Sequence, residues 1–319
     1  CLSPPLRTAI THRHTLNVEG GDEAIRYSLG VNYGSDFGVM KGSDRTNTGL
    51  TLLLSYRRKK WNISNSLSLT NTDANNSPYG SFSQYTKLNP YYRLKDENGR
   101  YQNVIEIKPM AAGSQRRTIT NPLYNTQFPF KDLTKNFNVV DNFSLEYAIM
   151  DNLRVNGQVS FSKGYARSEQ FKSSHHTDFA TEEDLTQRGS YAKSIGESIS
   201  WNANASLNYN LVKEKHGLFA MLRWNVESSK SDGVNLSAKG FPDDNMTDFL
   251  FAFEMDRDVN GNESTNRSVG VLGSLNYIYD QRYSVDFNVH GDVSSQFGSD
   301  TKMAPFWSVG LRWNMHEEK

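Results

Sequence analysis

The chain has 319 residues with 35 acidic and 35 basic side chains, so its zero net charge argues against the basic surface that nucleic-acid binding requires. Only 36% of the residues are hydrophobic and the mean hydropathy is −0.66, and no segment approaches the roughly 20 apolar residues of a membrane-spanning helix. The aromatic content of 12% argues against disorder, which leaves a soluble all-β protein or a membrane β-barrel with a wet interior.

Apolar and polar side chains alternate along most of the chain. Near the start, Ile25, Tyr27 and Leu29 alternate with Arg26 and Ser28, which places the two sets on opposite faces of a strand. The pattern predicts about eleven strands and no helix. Their ranges are 12–19, 25–34, 46–56, 61–69, 137–149, 153–163, 196–210, 217–227, 266–279, 283–292 and 305–314. Strands of about ten residues have the length that a tilted strand needs to cross a membrane.

The connectors between these strands alternate between short and long. The long ones are 35–45, 70–136, 164–195, 228–265 and 293–304. Membrane barrels have tight turns at one rim and extended loops at the other. In a β-sandwich, short and long connectors are not expected to alternate along the chain. The connectors therefore favour an antiparallel up-and-down transmembrane β-barrel, with the long loops as its extracellular side.

The composition of the apolar faces is consistent with lipid contact. They contain no Lys or Arg, which cost about 2–4 kcal/mol at the membrane midplane. Asp141 is the clearest exception, and the alternation does not explain it. Four apolar residues lie on nominally wet faces: Leu53, Phe219, Met221 and Leu272.

Aromatic residues gather beside the short turns, where an interfacial girdle would contact lipid headgroups. The predicted lipid-interface residues are Tyr56, Trp61, Tyr147, Tyr209, Tyr277, Tyr283 and Trp313. An ordinary sandwich core is the alternative explanation for them.

An odd strand count indicates a piece of a larger barrel, because bacterial single-chain barrels close with even numbers of strands. The only cysteine is Cys1, so no disulfide framework exists. We interpret it as a truncation point rather than a lipidated first residue.

Several segments, in order, resemble the SusC/RagA family of TonB-dependent outer-membrane transporters. They are HTLNVEGG at 14–21, IRYSL at 25–29, GVMKGS at 38–43, SPYGSF at 77–82, the segment 280–298 and PFWSVGLRW at 305–313. Together they span nearly the whole chain. His290 departs from the family, which usually has Arg there.

The resemblance implies a 22-stranded barrel of a Gram-negative outer membrane that holds an N-terminal plug and is energised through a TonB box. It also implies a SusD-like surface lipoprotein partner and the import of glycans or peptides. The chain corresponds to the middle of that barrel, with the plug, the TonB box and the closing strands absent. We therefore predict a transporter segment that is not an enzyme, has no cofactor and binds no nucleic acid.

Substrate contacts are predicted at aromatic side chains of the longest loop, where rings can stack on sugars or pack within the loop. They are Tyr79, Phe82, Tyr85, Tyr91 and Tyr92.

Motifs for other chemistry are weak. Asp256, Asp258 and Asn260 match the opening of a calcium loop, but Arg267 stands where its bidentate Glu is needed. The pairs His175 with His176 and His12 with His14 are candidate metal ligands, although structural roles are the commoner explanation. The acidic run 182–184 is expected to be a solvated loop rather than a pair of catalytic carboxylates.

Two alternative functions stay open. A passive outer-membrane porin would need few further strands, and a soluble β-sandwich binding module or adhesin would need no membrane.

Overall fold

The computed structural model describes residues 4–109, 116–255, 260–296 and 303–318. Its β-strands are β1 (Ile10–Gly21), β2 (Ile25–Phe37), β3 (Asp44–Arg58), β4 (Trp61–Asn75), β5 (Val104–Pro109), β6 (Arg116–Thr120), β7 (Phe130–Met150), β8 (Leu153–Lys172), β9 (Ser190–Lys213), β10 (His216–Lys239), β11 (Glu254–Met255), β12 (Asn260–Tyr279), β13 (Tyr283–Ser294) and β14 (Met303–Trp313). The one short α-helix in these ranges is α1 (Phe82–Thr86), and 3-10 turns lie at Pro122–Gln127, Thr177–Phe179, Leu185–Gln187, Phe249–Phe251 and Met315–Glu317. No helix of the described ranges is long and apolar enough to cross a membrane.

Within the described residues, twelve strands form one antiparallel sheet in the order β1-β2-β3-β4-β7-β8-β9-β10-β12-β13-β14, with β11 added beside β10. Each long strand pairs with the next long strand along the chain, as in an up-and-down meander. No pairing joins β1 to β14 among these residues, so the barrel wall is open. The predicted fold class, an incomplete antiparallel barrel, is confirmed.

All eleven predicted strands are present, and the short connectors lie together at one edge of the sheet. They cover residues 22–24, 59–60, 151–152, 214–215 and 280–282. Lys59 and Glu214 open two-residue turns with φ of 50° and 51°, the left-handed conformation that such turns need.

The strands extend further towards the long loops than the alternation predicted. The connectors whose residues are all described shrink to 38–43 and 173–189, and the connector between β4 and β7 contains α1 and the separate hairpin of β5 and β6. The added strand residues on the inward face, such as Ser168 and Gln170, are polar. The alternation of apolar and polar residues that predicted the strands is therefore weak in these extensions. The tightest packing also lies at this rim, where Phe171, Tyr191, Ala238 and Phe241 form a small buried cluster.

Candidate functional site: the two faces of the sheet

One face of the sheet is a continuous exposed apolar surface, which we call the outward face. Strand register aligns its side chains into rows, as in Leu29–Leu52–Leu67 across β2, β3 and β4. The exposed members of this face include Leu16, Val31, Leu54, Phe143, Val159, Trp224, Leu275, Phe287, Val309 and Leu311. Its large size and exposure are typical of a surface that another apolar phase covers.

The seven predicted interface aromatics lie on this face, near the short turns. Trp61 and Tyr147 are cross-strand partners with ring centroids 4.3 Å apart. Tyr277 Oη and His216 Nδ1 are 2.7 Å apart. Tyr283 Oη donates to Glu318 Oε1 at 2.6 Å. The remaining members, Tyr56, Tyr209 and Trp313, occupy equivalent strand ends. Rings with a polar tip at one rim suit a membrane interface, and lipid contact there stays a prediction.

Asp141 has a specific partner on the outward face. Asn65 Nδ2 donates to Asp141 Oδ1 at 2.6 Å, and the two residues lie on β4 and β7 amid apolar neighbours such as Leu67 and Phe143. The hydrogen bond partly satisfies a carboxylate that the alternation left unexplained.

The opposite face, which we call the inward face, is predominantly polar. Leu53 is an exception, and it contributes to a cavity of about 840 Å³ near the short turns that also contacts Arg26, Ser28 and Ser66. Phe219 is likewise exposed on this face. Of the four predicted apolar positions on this face, Leu53 and Phe219 are exposed, and Met221 and Leu272 are half-buried.

A second cavity, of about 440 Å³, lies on the inward face at the rim of the long loops; we call it the rim cavity. Asp132 on β7 accepts hydrogen bonds there from Gln170 Nε2 on β8 and from Asn76 Nδ2, both at 3.0 Å. Lys172 Nζ contacts Asp178 Oδ2 at 2.6 Å. The cavity thus combines carboxylates, an ammonium group and amides. Sequence reasoning missed it because its strand residues carry no motif and lie where both faces are polar.

His176 helps to build the loop wall of the rim cavity. Its Nδ1 accepts a hydrogen bond from the backbone N of Asp178 at 3.1 Å and so caps the turn at Thr177–Phe179. Burial lowers the pKa of His176 and outweighs the opposing effect of the Asp178 carboxylate. The imidazole is consequently neutral near pH 7.

The five predicted loop aromatics occupy different environments. Tyr79 lines the rim cavity, whereas Tyr85 is only 1% exposed and donates its hydroxyl to Tyr79 O at 2.7 Å. Tyr85 packs inside the loop, and this corrects its assignment as a substrate contact. Tyr91 is 93% exposed, Phe82 is exposed on α1, and Tyr92 Oη donates to Glu106 Oε2 at 2.5 Å.

The weak metal candidates do not converge. Asp256 and Asp258 lie outside the described residues, and Asn260 begins β12 opposite Asn235. His175 stacks on Phe128 with centroids 5.0 Å apart and its Nδ1 lies 3.4 Å from Asp244 Oδ2, whereas His176 Nδ1 accepts from Asp178 N. The described ranges contain no group of three His, Cys, Asp or Glu side chains placed to hold a metal.

The two other candidate clusters have structural contacts. The rings of His12 and His14 are 5.4 Å apart, and both stack on Tyr33. In the acidic run, Asp184 caps the turn at Leu185–Gln187 through a 2.9 Å hydrogen bond from Thr186 N.

Comparison with known proteins identifies the architecture. No family model matches the chain. It is 21% identical over 323 residues to a TonB-dependent receptor of Formosa agariphila, covering 95% of the chain and 30% of the receptor. The RagAB peptide importer in its closed-closed state superposes with a TM-score of 0.70 at 20% identity, covering 98% of this chain and 35% of that one. The ferric citrate transporter FecA gives 0.55 at 8% identity, with 95% and 38% covered.

These likenesses confirm the resemblance to TonB-dependent receptors that the sequence segments indicated, and they confirm the barrel fold. The chain spans about a third of the length of these relatives. The expectation of a protein that is not an enzyme agrees with them, since they are receptors and importers.

Proposed function

We propose that this chain forms part of the wall of a TonB-linked importer in the outer membrane of a Gram-negative bacterium, and that the imported nutrient is a peptide. The observation that carries the proposal is that the two faces of the sheet differ in polarity. A continuous apolar outward face suits lipid, and the polar inward face bears the rim cavity on the side of the long loops.

The height of the apolar surface agrees with this proposal. On β8 the outward apolar positions run from Leu153 to Phe161, and on β10 from Leu218 to Val226. Eight steps of about 3.3 Å on a strand tilted by about 40° span about 20 Å. The apolar band of outer-membrane barrels is about 25 Å tall.

A peptide fits the rim cavity better than a glycan does. Lys172, Asp132 and Gln170 offer charged and amide groups, which pair with the termini and backbone amides of a short peptide. Sugar recognition would favour several exposed rings, and Tyr79 is the single predicted aromatic that lines the cavity. The RagAB neighbours are peptide importers, which supports the same choice.

Two partners belong to the proposal. A SusD-like surface lipoprotein would cover the long loops, and a TonB complex would supply energy through a part of the transporter outside this chain. Both are expected from the resemblance to SusC/RagA-type transporters and from the RagAB neighbours.

Uptake by cells tests the proposal. A strain lacking the gene, complemented with the natural full-length protein, is given labelled peptides and labelled oligosaccharides of similar mass. We expect peptide uptake that a protonophore abolishes. The double variant D132N/Q170A should reduce it several-fold, because the variant removes polar contacts of the cavity. The outward variant E263Q, which removes one carboxylate as D132N does, is the matched control and should leave uptake unchanged.

The alternatives predict other results. Uptake that survives the protonophore would indicate a passive porin, and preference for the oligosaccharide would indicate glycan import. A protein that stays monomeric in solution without detergent would indicate a soluble binding module.

A further inference from the structure

A buried carboxylate stands among three cations on the outward face, beyond the apolar band. Glu169 on β8 is 1% exposed. Its Oε1 accepts from Arg167 Nε at 2.6 Å and lies 3.9 Å from Lys193 Nζ, and its Oε2 contacts Lys131 Nζ. These four residues are called the Glu169 cluster.

The Glu169 cluster differs from its neighbours in charge balance. Two other outward cations above the band each pair with one acid, namely Lys163 with Glu197 and Lys230 with Glu263, each at 2.6 Å. In the Glu169 cluster one carboxylate faces three cations, which leaves a net charge of +2. Asp248, on a neighbouring loop, accepts a hydrogen bond from Leu250 N and caps the turn at Phe249–Phe251.

The cations of the cluster remain accessible. The side chains of Lys131, Arg167 and Lys193 are 42%, 39% and 26% exposed. Glu169 offers only two oxygens, so several N–H donors of the cluster point to solvent. Such a group can bind a doubly charged oxyanion with charge-assisted hydrogen bonds.

The position of the Glu169 cluster on the sheet indicates where a bound oxyanion would lie. Arg167 and Glu169 have the same parity on β8 as Phe161 and Tyr165, so they face the exterior of the wall rather than its lumen. Tyr165 is exposed there. On a strand tilted by about 40°, Arg167 stands about 5 Å and Glu169 about 10 Å above Tyr165. Long basic side chains reach headgroups from this height.

We propose that the Glu169 cluster binds the phosphate group of an anionic membrane lipid at the outer surface of the bilayer. The proposal rests on the proposed function in one respect, since it needs the outward face in lipid. Glu169 holds the three cations in place, and the lipid phosphate neutralises their excess charge.

Native mass spectrometry of the natural full-length protein in detergent, titrated with diphosphorylated lipid A, tests the proposal. The variant K131Q/R167Q/K193Q/E169Q removes the cluster without leaving a buried unpaired carboxylate. It should bind at least roughly tenfold more weakly, because each charge-assisted hydrogen bond to the lipid phosphate contributes about a tenfold effect on affinity. The single variant K193Q, whose cation is farthest from Glu169, should lose up to roughly tenfold, as expected for one charge-assisted hydrogen bond.

The control variant K163Q/K230Q changes the net charge by the same amount on the same face and should bind within about twofold of the wild type. Dephosphorylated lipid A should bind all variants weakly. Equal binding by the wild type and the quadruple variant would overturn the proposal. Inorganic phosphate that competes as strongly as the lipid would also overturn it, by showing a site for free phosphate.

Insertion into phosphatidylcholine vesicles separates this proposal from the proposed function. If the wild type and the quadruple variant insert equally and bind lipid A equally, only the lipid site is wrong. If the wild type does not insert, the membrane assignment is wrong and the lipid site with it.

Discussion

Replacing Glu169 with Gln should destabilise the rim of the sheet at neutral pH. The side chain is fully buried, and Gln would leave Lys131, Arg167 and Lys193 facing one another without an anion. Burial alone would raise the pKa of Glu169, but the hydrogen bonds from Lys131 and Arg167 outweigh burial and hold the pKa at about 2, against an ordinary value of 4.5.

That difference in pKa corresponds to about 3 kcal/mol in favour of the ionised carboxylate. The cations are partly exposed and can turn to water, so we expect E169Q to lose about 2–3 kcal/mol at pH 7. Because the folded pKa lies below the unfolded one, the stabilisation is fully present above pH 4.5 and is lost as the pH falls through about 2. Roughly 40% of it should remain at pH 3.

Hydrogen exchange of the backbone amides in 167–172 and 190–195 measures this local stability. The control is E197Q, which breaks the exposed pair with Lys163 and should cost under about 1 kcal/mol. The reasoning is refuted if E169Q loses no more than E197Q at pH 7. It is also refuted if the gap between wild type and E169Q is as large at pH 3 as at pH 7.

Three further changes have definite expected outcomes. In urea unfolding from lipid vesicles, N65L/D141L should be more stable than D141L by about 1–2 kcal/mol, because the single change leaves the Asn65 amide without its 2.6 Å partner; equal stability would contradict that hydrogen bond. F171A should cost about 3–5 kcal/mol in the exchange assay, since this ring is 1% exposed in a packed cluster, and a loss below about 1 kcal/mol would contradict the packing. Because burial lowers the pKa of His176, protonation opposes the fold, so loop protection should fall as the pH drops below 6.5; H176Q should abolish that dependence, and an identical pH profile for H176Q would exclude His176 as its source.

The strands were predictable from sequence wherever one face is apolar and the other polar. Leu153, Val155 and Val159 alternate with polar residues, and the lower half of β8 follows from them. Above Phe161 most outward residues are charged, with Tyr165 between them, while inward residues such as Gln170 stay polar, so the contrast between apolar and polar positions is lost. The backbone nonetheless continues as a strand to Lys172 because its neighbours β7 and β9 supply the hydrogen bonds.

The rim cavity was not predictable in the same way. Asp132 and Gln170 are 38 residues apart along the chain, and only the pairing of β7 with β8 brings them together. The Glu169 cluster was predictable only in part: Arg167 and Glu169 are two residues apart, so a strand places them on the same face. Lys131 and Lys193 join them only through strand register, which the alternation alone does not determine.

The outward side chains of β8 lie in three different environments along the strand, and this explains why the strand has 20 residues. Val159 and Phe161 are exposed in the apolar band, Arg167 and Glu169 follow above Tyr165, and Phe171 is then buried. The cover over Phe171 comes from the connector 240–253, through Phe241, Phe249 and Ala252. In the proposed membrane orientation, an outward side chain that the protein itself covers does not need lipid, which is expected where the wall extends beyond the bilayer. The charged outward residues of β8 lie between the exposed apolar band and the buried Phe171, at the level where the proposed orientation places water and lipid headgroups.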